Sequence, residues 1–367
     1  MQSPIKVFVH LAYGYGARQW AQRWKDGKII GINEPLPYGY FRAAQFGCSV
    51  DHSQDKDESA PEKILRLGVR AILGFDVIHA WRNFKQMMEA DVIWTHTESQ
   101  YLAILLLFRL TRRERRPKLI AQSVWLIDRW SQFSHLKRRL FAWLIQQADI
   151  LTFLSPENLA IARNLFPAVR SELVLFGINA DHKTIPALRS PHPVLRIASL
   201  GNDEHRDWPV LIETVSKRTD WALKIASSQV PAASLRHSSN VEIVRPKSNE
   251  ELLDLYGWAD LLVIALRPNA HGSGITVIQE AVLRGVPVIC SDVGGLRAYF
   301  SDDEIRFVKA QDSNALEQDI SKAGADPEGR LAMATRAQTR MGPAGLSSES
   351  YVRRHVEISR DLLNAIT

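Results

Sequence analysis

Residues 271 to 297, HGSGITVIQEAVLRGVPVICSDVGGLR, hold the densest chemistry in the sequence. Gly272-Ser273-Gly274 follows an apolar run, Leu261 to Ala265, and precedes a helical pattern from about Thr276 to Arg284. Glycine lets a ligand come close to the backbone. The unpaired amides of a helix start, with the helix dipole behind them, favour an anion such as a diphosphate. Glu280, six residues after Gly274, is a carboxylate able to accept two hydrogen bonds from a ribose diol. Gly285-Val286-Pro287 ends the helix, and Val288-Ile289-Cys290 reads as a buried parallel strand that turns at Asp292 to Gly295. A glycine turn that caps a helix for packing alone would share this local pattern.

The stretch resembles the donor-nucleotide motif of GT-B glycosyltransferases, above all the retaining family 4. That motif runs E-x-F-G-(L/I)-x-x-x-E-A-x-A-x-G-x-P-V-(V/I)-x-(T/S)-x-x-G-G, and Glu280, Ala281, Gly285, Pro287, Val288, Ser291, Gly294 and Gly295 fall in register with it. Two positions depart. The first acid of the motif, which in the family contacts the donor sugar, falls on Gly272, and one extra residue separates Gly274 from Glu280. His271 or Ser273 is left to fill that space. The resemblance implies an α/β chain of GT-B fold, two Rossmann-like doubly wound domains facing a cleft. In it Gly272, Ser273, Gly274, Ile275 and Thr276 would carry the diphosphate of a UDP- or GDP-sugar, His271 would join them in the donor site, and Glu280 would hold the ribose.

The elements that would position these groups can be followed along the chain. Ile5 to Leu11 is a short strand, and Gly14, Tyr15 and Gly16 turn it into a helix at the edge where such sheets bind ligands. Prolines, glycines and the polar run 51–58 then predict a mobile loop over 33–60. Asp91 to His96 is a strand ending in a histidine, which makes His96 a candidate for contact with donor sugar or acceptor. The strand Lys118 to Ser123 resembles one that ends in a catalytic-site histidine in many family members; here Gln122 or Ser123 stands there. Asp128 is the nearest carboxylate and a candidate base for an inverting reaction.

Two basic clusters, Arg112-Arg113-Glu114-Arg115-Arg116 and Lys137-Arg138-Arg139, sit beside Leu105 to Phe108 and Phe141 to Trp143. Cations next to apolar and aromatic side chains suit an anionic membrane surface, although solvated charge beside core leucines accounts for each cluster separately.

Phe176 to Asp181 resembles the turn that closes the first domain in the family, and 182–194, with three prolines and no periodicity, reads as a linker. After the strand Leu195 to Leu200, the family carries two basic diphosphate ligands; Asn202 replaces one and Arg206 supplies the other. Pro246 follows a strand where the family holds the base. The domains are thus expected at 1–181 (acceptor), 195–346 (nucleotide-sugar) and 347–367, a helix crossing back to the first domain.

At 367 residues, 46% apolar and 23% charged, the chain can bury two cores. Its formal charge of +6 suits an anionic partner. No nucleic-acid motif appears, and the arginines cluster with leucines rather than with stacking aromatics, so nucleic acid is not expected. Two distant cysteines fit a reducing compartment, and neither a signal peptide nor a spanning segment is read, which predicts a cytoplasmic protein, peripheral on the inner face of the plasma membrane. No acidic pair near the glycine loop suggests a metal grip, so no metal and no cofactor are expected. The resulting expectation is a retaining, metal-independent glycosyltransferase acting on a glycan or lipid-linked acceptor in bacterial polysaccharide or glycolipid synthesis. The alternatives are a sugar-nucleotide epimerase of the same fold and a non-catalytic GT-B partner subunit.

Overall fold

The structure, a computed structural model, describes residues 3–111, 115–189, 192–235 and 238–365. Arg112, Arg113, Ser190, Pro191 and Ile366, on which parts of the first basic cluster, the linker and the last helix were expected, lie outside the described residues. The chain forms two compact units. Unit 1 comprises Met1–Asp26, Glu34–Leu175 and Ser348–Thr367, and unit 2 comprises Gly27–Asn33 and Phe176–Ser347.

In unit 1, strands alternate with helices: β1 (Ile5–His10), α1 (Ala17–Lys25), β2 (Cys48–His52), α2 (Ala60–Leu73), α3 (Val77–Met87), β3 (Val92–Thr95), α4 (Glu98–Thr111), β4 (Lys118–Ser123), α5 (His135–Ile145), β5 (Ile150–Phe153), α6 (Pro156–Leu165) and β6 (Ser171–Leu173). The strands pair in parallel in the order β2-β1-β3-β4-β5-β6. Helices cover such sheets on both faces, so the central strands are apolar throughout; Val92, Ile93 and Trp94 are fully buried. Phe8, Phe75, Met87, Tyr101, Leu105, Leu119, Phe141 and Phe153 fill one core. Helix starts are written in the sequence: Ser59 and Glu62 form a capping box on α2, and Ser155 accepts the amides of Glu157 and Asn158 on α6.

The polar run 51–58, expected to be mobile, is structured instead. Asp51 and His52 close β2, Ser53 Oγ accepts the Leu11 amide at 3.0 Å, and Asp55 Oδ2 accepts the Gly14 and Gly16 amides at 3.1 and 3.0 Å. Polar side chains that satisfy backbone donors can be buried, and composition does not reveal which ones do.

Unit 2 contains β7 (Leu195–Leu200), α7 (Trp208–Ser216), β8 (Trp221–Ala226), β9 (Val241–Val244), α8 (Asn249–Trp258), β10 (Leu261–Ile264), α9 (Ile275–Leu283), β11 (Val288–Ser291), β12 (Arg306–Val308), α10 (Ser313–Ala325) and α11 (Pro327–Arg340). The sheet is again parallel, ordered β12-β11-β10-β7-β8-β9. Counted from β7 this is the 3-2-1-4-5-6 order of doubly wound sheets. The expected α/β fold with two Rossmann-like units is therefore present. Where strand order reverses, the carboxyl ends of the two flanking strands leave a crevice. That switch falls between β7 and β10 in unit 2 and between β1 and β3 in unit 1.

Unit 2 also recruits residues distant in sequence. Asn249 on α8 holds the segment 27–33, accepting the Gly31 amide at 2.9 Å and donating to the Ile29 carbonyl at 3.2 Å. The stretch read as a linker begins by packing on the end of α9: the Thr184 amide donates to Leu283 O at 2.8 Å, and the Gln338 side chain donates to Thr184 O at 2.8 Å. The last helix, α12 (Ser348–Asn364), belongs to unit 1, where the Tyr351 and Tyr40 hydroxyls meet at 2.8 Å and Trp94 Nε1 donates to Ser359 Oγ at 2.9 Å. Among the described residues no helix is long and apolar enough to cross a membrane.

Unit 1 buries several histidines in its neutral form. Burial lowers the pKa of His52 and His355 to about 4 and of His96 to about 3. The unfolded chain binds protons on these rings below about pH 6.5 while the folded unit does not, so their contribution to stability is intact above that pH and is lost as pH falls from 6.5 towards 4. Between pH 7.5 and 5 each should remove about 2 kcal/mol. Calorimetric melting of unit 1 should move to lower temperature over that range and less so in His52→Gln; a transition that rises on acidification would contradict the assignment.

Candidate functional site

The loops after β7 and β10 meet at the switch point of unit 2. Arg206 lies in the first of them, its amide donating to Asp203 O at 3.2 Å, and the backbone runs beside the second loop through a bridge to Leu266. Its side chain is 3% exposed. The guanidinium is lodged between two glycines of positive φ, Gly201 at +123° and Gly274 at +91°; a Cβ on either would come within 2.4 or 2.6 Å of a guanidinium nitrogen. The left-handed backbone already strains any side chain at both places, and the guanidinium fills the space that a Cβ would take. Burial pulls the Arg206 pKa down to about 10, which leaves it charged at neutral pH. Nε and Nη1 nevertheless have no hydrogen-bond partner. A desolvated cation with unmet N–H groups, beside the start of α9, is a site built for an anion with several acceptor oxygens.

The rest of the glycine loop is held from below. Gly272 (φ +70°) and Gly294 (φ +65°) pack backbone to backbone, a Cβ on Gly294 falling 2.8 Å from the Gly272 nitrogen. Asn269 Oδ1 accepts the Ser273 amide at 3.1 Å. The helix opens at Ile275, whose amide donates to Gly272 O at 3.2 Å, and Thr276 follows in its first turn.

Asp203 is the hub of this loop pair, and the sequence reading missed it. Oδ1 accepts the His205 amide at 2.8 Å and Ser273 Oγ at 2.8 Å, and Oδ2 lies 3.2 Å from His271 Nε2. Burial works against the carboxylate, but bonds from His271, the His205 amide and Ser273 outweigh it and hold Asp203 far below the usual carboxylate range. His271 and Ser273, left by the motif to fill the space of the missing acid, are thus fixed to a carboxylate about seventy residues away. Asp203, His205 and His271 also bring ligand atoms within 4.8 Å of one another, the one such group among the described residues that could hold a metal ion. The hydrogen bonds among them account for the arrangement without one.

Glu280 lies further along α9 in a cavity of about 180 Å³, with Tyr256, Asn249, Asn179, His182 and the segment Gly31 to Asn33. Oε1 accepts the Ile32 amide at 2.8 Å and Oε2 accepts the Tyr256 hydroxyl at 3.1 Å. Burial raises its pKa, opposed by those two bonds. A carboxylate has about four acceptor positions, so capacity for a diol remains. Pro246 is half-buried between β9 and α8 and does not line this cavity, although Asn249 and Leu252 of α8 do. Asn202 plays a structural part, accepting from Ser227 and Ser228.

The unit 1 candidates separate. His96 lines a cavity with Tyr15 and Tyr38; the Tyr38 ring stacks on it at 3.6 Å, and the Tyr40 hydroxyl meets Nδ1 at 2.9 Å. Burial keeps this histidine neutral. Gln122, which with Ser123 ends the strand that carries a histidine in many family members, donates to His96 O at 2.9 Å and accepts from the Tyr351 hydroxyl. Asp128 is half-buried and does not line that cavity, whereas its neighbour Arg129 does. The amides of Gly14 and Gly16, in the turn placed by the sequence at the ligand-binding edge of the sheet, are already occupied by Asp55.

Residues 226–340 match the family described as Glycosyl transferases group 1. A D-inositol 3-phosphate glycosyltransferase from Corynebacterium urealyticum is 28% identical over 177 residues, 48% of this chain and 41% of that protein, so the match spans about two fifths of the relative's length. Among solved structures, sucrose-phosphate synthase from Thermosynechococcus elongatus has a TM-score of 0.71 at 17% identity, covering 98% of this chain and all of its own. HepE from Anabaena in complex with UDP-glucose has a TM-score of 0.68 at 12% identity, with 97% and 99% covered. The resemblance read from 271 to 297 holds, and the fold is GT-B.

Arg206→Met removes a buried charge that has no bonded partner on two of its nitrogens. Because such a charge opposes folding, thermal stability should be kept or raised, while affinity for inorganic pyrophosphate should fall at least tenfold, as expected for about 1.5–3 kcal/mol from charged hydrogen bonds. Calorimetric titration of both proteins checks this; unchanged pyrophosphate binding would mean that Arg206 is only a packing residue.

Proposed function

We propose that this chain, whose second unit carries the group 1 glycosyl transferase signature on a GT-B fold, transfers a sugar from a nucleotide-diphosphate sugar to an acceptor hydroxyl. The observation that carries the reading is the buried, under-bonded Arg206 guanidinium at the start of α9. When the bond from the sugar's anomeric carbon to the diphosphate breaks, negative charge grows on the departing oxygen. A cation and amides fixed in advance around that oxygen stabilise the transition state without reorganising. Glu280 takes the ribose diol with the acceptor positions left by Ile32 and Tyr256. The UDP-glucose held by HepE supports a UDP-sugar as donor. The anomeric configuration is retained, and Arg206 with the loop amides takes the role that a divalent ion has elsewhere.

The acceptor we assign is a glycan or lipid-linked compound at the cytoplasmic face of a bacterial membrane, in polysaccharide or glycolipid synthesis. The support is an apolar surface on unit 1. Helix α2 leaves Ile64, Leu65, Leu67 and Ile72 exposed, Ile72 at 82%, alongside Lys63 and Arg70, and α5 exposes Leu136 and Trp143. The α5 side chain Lys137 lies against Gly74 at the end of α2, which makes these two helices neighbours. Exposed apolar side chains rimmed by cations suit an anionic bilayer better than bulk water does. Several of the basic side chains have other tasks: Arg116 pairs with Asp149 at 2.6 Å, and Arg109 stacks on Trp143 at 4.5 Å.

Three outcomes are expected. Glu280→Gln should weaken UDP-glucose binding by roughly 10- to 100-fold, in line with about 1.5–3 kcal/mol for a charged hydrogen-bonded pair, and turnover should survive chelator. Equal binding by the variant removes the ribose assignment, and loss of turnover restored by manganese would place a metal at Asp203, His205 and His271. The parent should co-sediment with vesicles containing phosphatidylglycerol more than with phosphatidylcholine alone, and Ile64→Glu combined with Ile72→Glu should abolish the difference; no preference in the parent would favour a soluble acceptor.

A further inference from the structure

Unit 1 encloses a cavity of about 360 Å³ at its own switch point, within the size range of small-molecule sites. Its inner wall is made by His10 at the end of β1, His79 on α3 and the turn after β3. Its outer side is made by Arg70 of α2, Arg129, and Lys137 of α5. Two observations set it apart from a packing void.

The first is unmet hydrogen bonding. His10 and His79 are each 1% exposed, their rings stack at 5.1 Å, and Nδ1 of each has no partner. Burying a polar atom without a partner is unfavourable, and a hydroxylated ligand would relieve it. The second is charge. Three basic side chains face two acids, and both acids are engaged: Asp76 accepts from Arg66 at 2.6 Å and from the His79 amide at 3.0 Å, and Glu98 accepts the Val124 and Trp125 amides. Neither Arg70 nor Lys137 forms an ion pair among the described residues. The Lys137 amine lies instead over the Phe133 and Phe141 rings, at 4.9 and 5.5 Å.

We propose that this cavity is the acceptor site and that the acceptor is a polyhydroxylated compound bearing a phosphate, the phosphate held by Arg70 and Lys137 and a hydroxyl by His10 and His79. The assignment rests on the glycosyltransferase reading of unit 2. Two unmatched cations on separate helices fit a phosphate monoester, which carries −1.5 to −2 at neutral pH and three acceptor oxygens, better than a singly charged planar carboxylate. The phosphate can belong to a soluble sugar or to a lipid headgroup.

The test is calorimetric titration of the full chain with glucose 6-phosphate, myo-inositol 1-phosphate, glucose, myo-inositol, glucuronate, and dihexanoyl phosphatidate below its micelle concentration. The phosphorylated compounds should bind at least tenfold more tightly than their parents and than glucuronate. Arg70→Gln and Lys137→Gln, both outside the core, should lose that preference while melting as the parent does. A tighter phosphatidate assigns the phosphate to a lipid, and a tighter sugar phosphate to a soluble acceptor; either upholds the site. No preference for phosphate, glucuronate binding as well, or a preference that survives in both variants overturns it. UDP titrated into the parent separates the two readings. Binding of UDP alone leaves the transferase and removes this acceptor, whereas absence of UDP and UDP-glucose binding removes the donor reading and with it the acceptor role.

Discussion

The geometry of unit 2 follows from one unfavourable placement, a guanidinium taken out of water at the point where strand order reverses. Arg206 fits there because Gly201 and Gly274 lack side chains, and its backbone is held because the loops after β7 and β10 run side by side. Asp203 supplies compensating charge and then recruits His205, His271 and Ser273 to itself, which fixes the glycine loop against the first loop. Remove the arginine and the space at Gly201 opens, while Gly274 still meets Ile264. Remove the strand order and the two loops do not meet.

The two units solve a similar backbone problem differently. Each has a glycine-containing turn or loop at the end of a strand beside its switch point, with amides that attract an anion. In unit 1 the chain supplies that anion itself, through Asp55 on the Gly14 and Gly16 amides. In unit 2 the corresponding positive charge is left under-bonded. The contrast is between a turn whose amides the chain itself satisfies and a loop beside which a buried cation keeps unmet N–H groups.

The parallel sheets and the loop from Gly272 to Gly274 were legible because each depends on residues close together in sequence: apolar runs of four to six, then glycine, then a helical period. Arg206 was legible only through a spacing shared with the family. Asp203 was not, because its role depends on His271 and Ser273, which sequence separation hides. The same applies to His10 and His79, which stack only once α3 packs on the sheet, and to the segment 27–33, whose composition gives no sign that Asn249 and Glu280 hold it. The run 51–58 was misread because buried acids that satisfy amides look like solvated charge until the donors are known.

The last helix has a bearing on how the chain is made. Unit 1 is interrupted: its sheet is complete by Leu173, yet Tyr351, Val352, His355 and Ser359, all buried within it, are translated only after the whole of unit 2. On the ribosome, unit 1 therefore waits with Trp94 and Tyr40 uncovered for roughly 10–35 s at about 5–20 residues per second. Closure of that gap joins segments some 250 to 310 residues apart in sequence, the type of long-range contact that slows folding. Unit 2 needs only the earlier segment 27–33 and its own strands, so it can finish first, and a nascent chain passes through a stage with unit 2 formed and unit 1 still open.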